Sequence, residues 1–151
     1  MMSQEEDAVE LVWHDSSDAV DWNELSNLYR IAPLGEKKPE DLRVSFGNSR
    51  FLCFVFAGET LVGAGRALAD GVDCSYLCDV AVHPDYQGTG IGKGIVSRLV
   101  ERSRGHRKII LYAAPGKEGF YRTLGFARMT TAMAIFQNQA HARAQGLVDE
   151  T

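Results

Sequence analysis

Apolar residues recur along the first third of the chain with the spacing of one strand and two helices. The segment "VELVW", Val9–Trp13, predicts a first strand. Helical spacing then runs from Ala19 to Ile31, after possible helix caps at positions 15–18. A second helix is predicted from Pro39, a residue that suits a first helical turn, to Phe46. Two helices are therefore expected before the main sheet.

The middle of the chain has the pattern of successive strands. A run rich in aromatic and β-branched residues from 51 to 69 is interrupted by Gly58 and Glu59, which predicts a hairpin. Gly63 and Gly65 in its second half indicate a bulge or a closely approaching backbone or ligand. After a turn at 70–73, "SYLCDVAV" predicts a strand that ends at Val82. The sheet is expected to be mostly antiparallel up to this point.

The pattern then changes to a helix between two strands. Apolar residues from Gly90 onward recur at helical spacing until Gly105, a typical C-terminal stop. "KIILYAA", Lys108–Ala114, predicts the next strand. Because a strand, a helix and a strand in this order form a crossover unit, the two strands are expected to be parallel neighbours.

Three further elements are predicted near the C-terminus. "EGFYRTLGF" indicates a short helix that Gly125 ends, and "TAMAIF", Thr131–Phe136, indicates a last strand. The tail from 137 to 146 is expected to be helical. No internal repeat or linker interrupts this order, so residues 1–151 are predicted to form a single domain.

Composition narrows the function classes. The chain is 45% hydrophobic and 24% charged with a formal net charge of −4, so it lacks the basic excess of a nucleic-acid binder. No apolar run approaches the roughly 20 residues that span a bilayer, and the acidic start does not have the pattern of a signal peptide. We expect a cytoplasmic protein that acts on small molecules and binds neither nucleic acid nor a membrane.

The cysteines do not predict a metal site. Cys53, Cys74 and Cys78 lack the paired spacing of metal ligands, and the last two lie too far apart in one strand to form a disulfide. We expect three reduced thiols and no bound metal.

The segment "HPDYQGTGIGKG" places a glycine-rich turn between a strand and a helix. Such a turn presents backbone N–H groups at the positive end of the helix dipole, which favours phosphate binding. Lys93 stands where a dinucleotide-binding fingerprint beginning at Gly88 requires glycine. Gly94 stands where a P-loop requires serine or threonine. Both of those nucleotide-binding motifs are excluded.

The same segment matches the pattern [QR]xxGx[GA] at Gln87, Gly90 and Gly92. Together with "DVAVHP" before it and "FYRTLGF" after it, the segment resembles the pyrophosphate-binding loop of the GNAT superfamily of acyl-CoA N-acyltransferases. The resemblance implies an α/β (α+β) fold with a mixed, mostly antiparallel sheet of six or seven strands and about four helices, splayed between strands 4 and 5. It also implies acetyl-CoA as co-substrate.

The resemblance further implies which residues hold coenzyme A. The backbone of Val80, Ala81 and Val82 would pair with the pantetheine arm, and the Gln87 side chain would shape the loop. Phe120 and Tyr121 would line the cofactor, while Lys93 and Arg98 could reach outer phosphates, although Arg98 is also an ordinary surface residue. The N–H groups around the pyrophosphate would be those of Gly88, Thr89, Gly90, Ile91, Gly92 and Lys93.

Direct transfer of the acetyl group to an amine requires an acid, an oxyanion donor and a base. The resemblance implies Tyr121 as the acid for the leaving thiolate and the N–H of Val82 as the oxyanion donor. Asp79 is a candidate for the base or the amine anchor, with a structural hydrogen-bonding role as the alternative. His83 is a weaker candidate base, since "HP" at a strand end is typical of loop geometry. Relatives often carry an asparagine where this chain has "AAP" at 113–115, which removes one expected pantetheine contact.

The acceptor is expected to be a primary amine of a small molecule. The strand "YLCDVAV" is similar to strands in plant-type aralkylamine acetyltransferases, which makes an aromatic amine one possibility. Two other functions stay open: a non-catalytic acyl-CoA-binding regulatory module, and a peptide or protein N-acetyltransferase. A homodimer is possible, since similar proteins are often dimers.

Overall fold

The computed structural model describes residues 9–150 and contains a five-stranded mixed sheet. Its strands are β1 (Leu11–His14), β2 (Phe51–Ala57), β3 (Thr60–Ala69), β4 (Cys74–Val82) and β5 (Lys108–Ile110), in the spatial order β1-β2-β3-β4-β5. The first three pairings are antiparallel, and β4 pairs with β5 in parallel. The predicted hairpin around Gly58 and the parallel strand pair are both confirmed.

The described residues also contain five α-helices. They are α1 (Trp22–Ile31), α2 (Pro39–Gly47), α3 (Ile91–Arg102), α4 (Glu118–Thr123) and α5 (Gln139–Ala144). The first helix begins later than predicted, because Asp21 caps it: the carboxylate accepts hydrogen bonds from the backbone N–H groups of Asn23 (2.8 Å) and Glu24 (3.4 Å). The prediction that residues 15–18 contain the cap was therefore wrong.

The two faces of the sheet bury different side chains. Ala64 of β3 and Ala81 of β4 belong to the core cluster formed with α1 and α2, which includes the buried rings of Tyr29 and Phe46. Alternate residues of a strand point to opposite faces, so Gly63 and Gly65 lie on the other side, beneath α3. A Cβ atom added to Gly65 would lie 2.8 Å from Ile95 Cγ2, so the close neighbour of this strand is a side chain of α3 and not the predicted backbone or ligand.

The described sheet has five strands, so the prediction of six or seven was wrong. Small and large apolar residues alternate in the segment Thr131–Phe136, but the segment is not a strand. The side chains of Met133 and Ile135 are 94% and 97% exposed. A strand is stabilised by pairing and by burial of one face, and sequence alternation alone supplies neither. β5 is also shorter than predicted and ends at Ile110 instead of Ala114.

The chain divides into two compact units, Met1–Leu111 and Tyr112–Thr151, described here from residue 9 and to residue 150. The first unit contains the whole sheet with α1, α2 and α3, and the second contains α4 and α5. No helix within residues 9–150 is both long enough and apolar enough to cross a membrane.

Candidate functional site

β4 carries a bulge at Asp79. Ala64 and Arg66 of β3 are two residues apart, whereas their partners on β4, Ala81 and Cys78, are three apart, so β4 contains one extra residue. Asp79 is this extra residue and has a φ of 57°. It is the one non-glycine residue at positive φ among those described. Bulges of this kind redirect side chains, and here the Asp79 carboxylate turns toward the face covered by α1 and α2.

Two cations hold the Asp79 carboxylate. Arg66 Nε donates to Oδ2 at 2.9 Å, and Lys37 Nζ lies 3.5 Å from Oδ1. The carboxylate is only 22% exposed, so these pairs are partly desolvated and stronger than surface pairs. Asp79 therefore presents a fixed negative charge on the α1–α2 side of the bulge.

The buried Tyr29 fixes the backbone at the same place. Its hydroxyl donates to the carbonyl oxygen of Asp79 at 2.7 Å. Burial, reinforced by the Asp79 charge, raises the pKa of Tyr29 well above its ordinary value, so the phenol stays a hydrogen-bond donor. Tyr29 is thus a structural residue of the bulge.

The end of β4 leaves backbone groups turned away from β3. His83 donates its N–H to the carbonyl of Val62 at 2.8 Å, which makes His83 and Val62 a hydrogen-bonded pair. Val82, opposite Gly63, is then in the alternate pair, whose N–H and C=O point away from β3. On that side β5 pairs with β4 only at residues 74–76, so the stretch 77–82 has no β5 partner.

The glycine-rich loop follows this open stretch directly. Pro84–Tyr86 form one 3₁₀ turn, and the Gln87 side chain donates back to the carbonyl of Val82 at 3.1 Å. The Thr89 hydroxyl donates to the carbonyl of Tyr86. This hydrogen bond ties the Gln87 side chain to the end of β4, and the role of Gln87 in shaping the loop stays a prediction.

Two left-handed glycines bring the loop into α3. Gly88 has φ 82° and Gly90, the N-cap of α3, has φ 92°. A Cβ atom added at either position would meet nothing within 4 Å, so open space borders the loop. The N–H groups of the first helical turn have no acceptor within the helix. The loop therefore offers backbone donors, a helix dipole and room for an anion.

The remaining residues of the glycine motif have other contacts. A Cβ atom added to Gly94 would lie 2.5 Å from Trp13 Cη2, so packing explains this glycine. The Arg98 guanidinium stacks on the same indole, 4.1 Å from a ring centroid. The structure thus places Arg98 in a packing contact with β1, while the Lys93 side chain is exposed.

Tyr121 and Phe120 lie on α4, in the second unit. The Tyr121 ring packs edge-on against Phe120 (5.1 Å) and Phe126 (5.9 Å). Burial raises the pKa of Tyr121, which keeps its hydroxyl protonated. Gly125 ends this helix with φ 96°, as predicted.

The described residues contain no group of three or more histidine, cysteine, aspartate and glutamate side chains that could hold a metal ion. Burial raises the pKa of the Cys53 thiol to about 11 and also raises that of Cys78. Both thiols are therefore in their weakly nucleophilic, protonated form.

Comparison with known proteins decides the family. Residues 19–126 match the acetyltransferase (GNAT) family over most of the chain. The chain belongs to this family. The match includes the bulge, the open end of β4, the glycine-rich loop and α4.

Several GNAT proteins are similar to this chain. Serotonin N-acetyltransferase 2 (chloroplastic) of Oryza sativa is 34% identical over 118 residues, which cover 74% of this chain and 59% of the rice protein. The chain thus spans less than two thirds of that relative. A histone acetyltransferase of Glycine max, TAP1, is 38% identical over 68 residues, covering 44% of this chain and 29% of the relative. The structure of a GNAT family acetyltransferase from Streptococcus pneumoniae superimposes with a TM-score of 0.72 at 22% identity, covering 85% and 99% of the two chains.

Sequence reasoning found Asp79 but missed its partners. Lys37 lies in the α1–α2 connection, 42 positions before Asp79 in the sequence, and no local pattern links the two. The sequence did contain a signal that Arg66 has a charged partner, because Arg66 is the one charged residue in the ten-residue strand Thr60–Ala69. A lone charge in a largely buried strand requires a partner.

Proposed function

We propose that this GNAT protein is an N-acetyltransferase that transfers the acetyl group of acetyl-CoA directly to a primary amine of a small molecule. One observation carries the proposal: the unpaired backbone of β4 runs directly into a loop with two left-handed glycines and open space around them. An extended pantetheine chain and a pyrophosphate require these two features in this order.

Coenzyme A would lie along this edge. Pantetheine runs along Val80, Ala81 and Val82 and pairs with the backbone of Val80 and Val82, since the backbone groups of Ala81 point toward Ala64 of β3. Gln87 orients the loop by its hydrogen bond to the carbonyl of Val82. The pyrophosphate accepts hydrogen bonds from backbone N–H groups, as the open space at Gly88 and Gly90 allows. These donors are Gly88, Thr89, Gly90, Ile91, Gly92 and Lys93.

The acetyl transfer needs one new bond and one broken bond. The neutral amine attacks the thioester carbonyl carbon, the C–S bond breaks, and the thiolate takes a proton. We assign the oxyanion contact to the Val82 N–H, which points away from β3. We assign the proton for the thiolate to Tyr121, whose raised pKa keeps it protonated at neutral pH.

Asp79 is proposed as the group that attracts the acceptor amine. Its carboxylate lies on the α1–α2 side of β4 and is already balanced by Arg66 and Lys37. A protonated primary amine takes the place of Lys37 beside this carboxylate and loses its proton to Asp79, directly or through water. The rice relative is named a serotonin N-acetyltransferase, and this supports an aromatic amine as the first acceptor to test.

A protein acceptor is the second candidate, because a histone acetyltransferase matches over 68 residues that cover 44% of this chain. The two candidates make different demands. A small amine must fit beside Asp79, whereas a lysine on a peptide must also bring its backbone past α1 and α2.

The test is an acetyl-CoA consumption assay over separate acceptor classes. The panel contains serotonin, tryptamine, a polyamine, free amino acids and a lysine-bearing histone-tail peptide. Coenzyme A is separated from the protein before detection, because three free cysteines would react with thiol reagents. Turnover with a small amine supports the proposal, and turnover with the peptide alone favours the second candidate. Binding of acetyl-CoA without turnover across the panel would indicate a non-catalytic acyl-CoA module.

A further inference from the structure

The ammonium group closest to Asp79 belongs to the protein itself. Lys37 Nζ lies 3.5 Å from Asp79 Oδ1 and 5.6 Å from the centroid of the Tyr29 ring. Its side chain is 30% exposed, so a reagent in solution can reach the amine. Lys37 thus occupies the position in which an acceptor amine would meet the Asp79 charge.

The segment that carries Lys37 is anchored to α1 and leads directly into α2. Ser26 of α1 donates its hydroxyl to the carbonyl oxygen of Lys37 at 2.5 Å. Pro39 follows two residues later and starts α2. Anchoring on both sides limits the motion of the backbone, so the Lys37 amine stays beside Asp79 while its flexible side chain can still move.

We infer that Lys37 is a self-acetylation site of this protein; the inference rests on the proposed function, since acetyl-CoA is the donor. Asp79 directly precedes Val80 and lies three residues before Val82. The separation of Asp79 from Val82 is at most about 10 Å along the chain, at roughly 3.3 Å per residue. A thioester bound at that edge is therefore within reach of a lysine that already touches Asp79.

The reaction is balanced. The Lys37 ammonium loses one proton to Asp79 or water and becomes a neutral amine, whose nitrogen forms an amide bond with the acetyl carbonyl carbon and releases a second proton. The C–S bond of acetyl-CoA breaks, and the thiolate takes up one proton to leave as the free thiol of coenzyme A. The product is an uncharged acetyl-lysine, which can no longer form an ion pair with Asp79.

Lys38 provides a matched control in the adjacent position. Its side chain is exposed, and it is the N-cap residue of α2 without a side-chain capping bond. Non-enzymatic acetylation by a thioester would modify the exposed Lys38 at least as fast as Lys37. Self-acetylation in the pocket instead favours Lys37, because proximity raises the effective concentration of its amine.

The experiment uses the full chain with acetyl-CoA and no added amine, followed over time by intact mass and peptide mapping. We expect one acetyl group per chain at Lys37, formed about tenfold faster than at Lys38. The rate constant should not depend on protein concentration. Lys37→Arg should abolish the modification, since arginine keeps the charge but has no lysine amine, whereas Lys38→Arg should leave it unchanged.

The same preparation is assayed with the amine panel, which separates the two ways of failing. Turnover of an added amine together with an unmodified Lys37, or with equal modification of Lys37 and Lys38, overturns the self-acetylation site and leaves the proposed function standing. Absence of both reactions overturns the proposed function, and the self-acetylation site with it. A rate that rises in proportion to protein concentration also overturns the inference, since it indicates transfer between chains.

Discussion

Asp79 combines a left-handed backbone with a carboxylate that lies between Arg66 and Lys37. A non-glycine residue adopts positive φ only where neighbouring contacts stabilise it. Here the Tyr29 hydroxyl fixes the carbonyl and Arg66 fixes the carboxylate. The bulge is therefore maintained by side chains from α1 and β3, and the charge that would attract an amine is part of the same arrangement.

Asp79→Asn should affect both stability and acceptor binding. The change keeps the shape of the side chain but leaves Arg66 without its anion, so we expect a loss of about 1–2 kcal/mol in the free energy of unfolding. The KM for a cationic amine should rise about tenfold. Urea unfolding and steady-state kinetics measure the two effects. Asp85→Asn is the control, because the Asp85 side chain is 83% exposed. If both variants behave alike, Asp79 has no special role.

Tyr121→Phe should lower kcat by about 100-fold with little change in the KM for acetyl-CoA, because it removes a proton donor and keeps the ring. Tyr112→Phe in the same unit is the matched control and should keep kcat. Burial raises the pKa of Tyr121 above its ordinary value of 10.0, so its acid form persists as the pH rises. The alkaline fall in kcat caused by loss of this proton should therefore lie above pH 10. The same alkaline fall in Tyr121→Phe would contradict the assignment.

The turn between β3 and β4 should contribute stability that depends on pH. Asp70 Oδ1 accepts hydrogen bonds from the N–H groups of Val72 (2.8 Å) and Asp73 (2.7 Å), which lower the pKa of Asp70 to about 2. A lowered folded-state pKa adds stability above the unfolded-state value, near 3.8, and that contribution disappears as the pH falls toward 2. Thermal melts of Asp70→Asn and the parent chain should therefore differ at neutral pH and converge at acidic pH. A constant difference would contradict this account.

α3 packs on the sheet through glycines on both elements. Gly63 and Gly65 of β3 let Ile95 approach the strand backbone, and Gly94 of α3 makes room for Trp13. The sequence predicted the first two, because glycine within a strand commonly marks a close approach. For Gly94 the sequence left both a ligand and close packing open and favoured phosphate binding, because the packing partner Trp13 is distant in sequence.

Gly94→Ala tests this packing. The new methyl group would lie 2.5 Å from Trp13 Cη2, so we expect a loss of about 1–3 kcal/mol in the free energy of unfolding. Gly119→Ala in α4 is the control, since an added Cβ there meets nothing within 4 Å. That change should be neutral or stabilise by up to about 1 kcal/mol, because alanine favours helix. Equal effects in chemical denaturation would refute the packing explanation.

The loop before α3 allows a second comparison between glycines. Gly90 and Gly105 both have positive φ, 92° and 100°, and an added Cβ atom meets nothing within 4 Å at either. Alanine at each should cost about 1–2 kcal/mol of stability through backbone strain. Gly90→Ala alone should also weaken acetyl-CoA binding, by about tenfold or more, since it changes the proposed phosphate loop. Titration calorimetry checks this, and equal Kd values in the two variants would contradict the role of the loop.

At the scale of the whole molecule, the sequence predicted the elements that local patterns determine. The hairpin, the parallel crossover and the glycine loop have signals within a few residues of one another. The prediction of a last strand failed because Thr131–Phe136 has alternating small and large apolar residues but no pairing partner in the described sheet. The cluster of Lys37, Arg66 and Asp79 could not be predicted, since β3, β4 and the α1–α2 connection meet only in the folded chain.

The central claim is that the open end of β4 and the glycine-rich loop bind an acyl-CoA. Titration of acetyl-CoA into the full chain, followed by calorimetry and thermal unfolding, tests it most directly. We predict one binding event per chain and a stabilisation of about 2.7 kcal/mol when the ligand is at 100 times its Kd. Binding should weaken in Gly90→Ala and not in Gly105→Ala. No heat of binding and no rise in Tm with acetyl-CoA would contradict the claim.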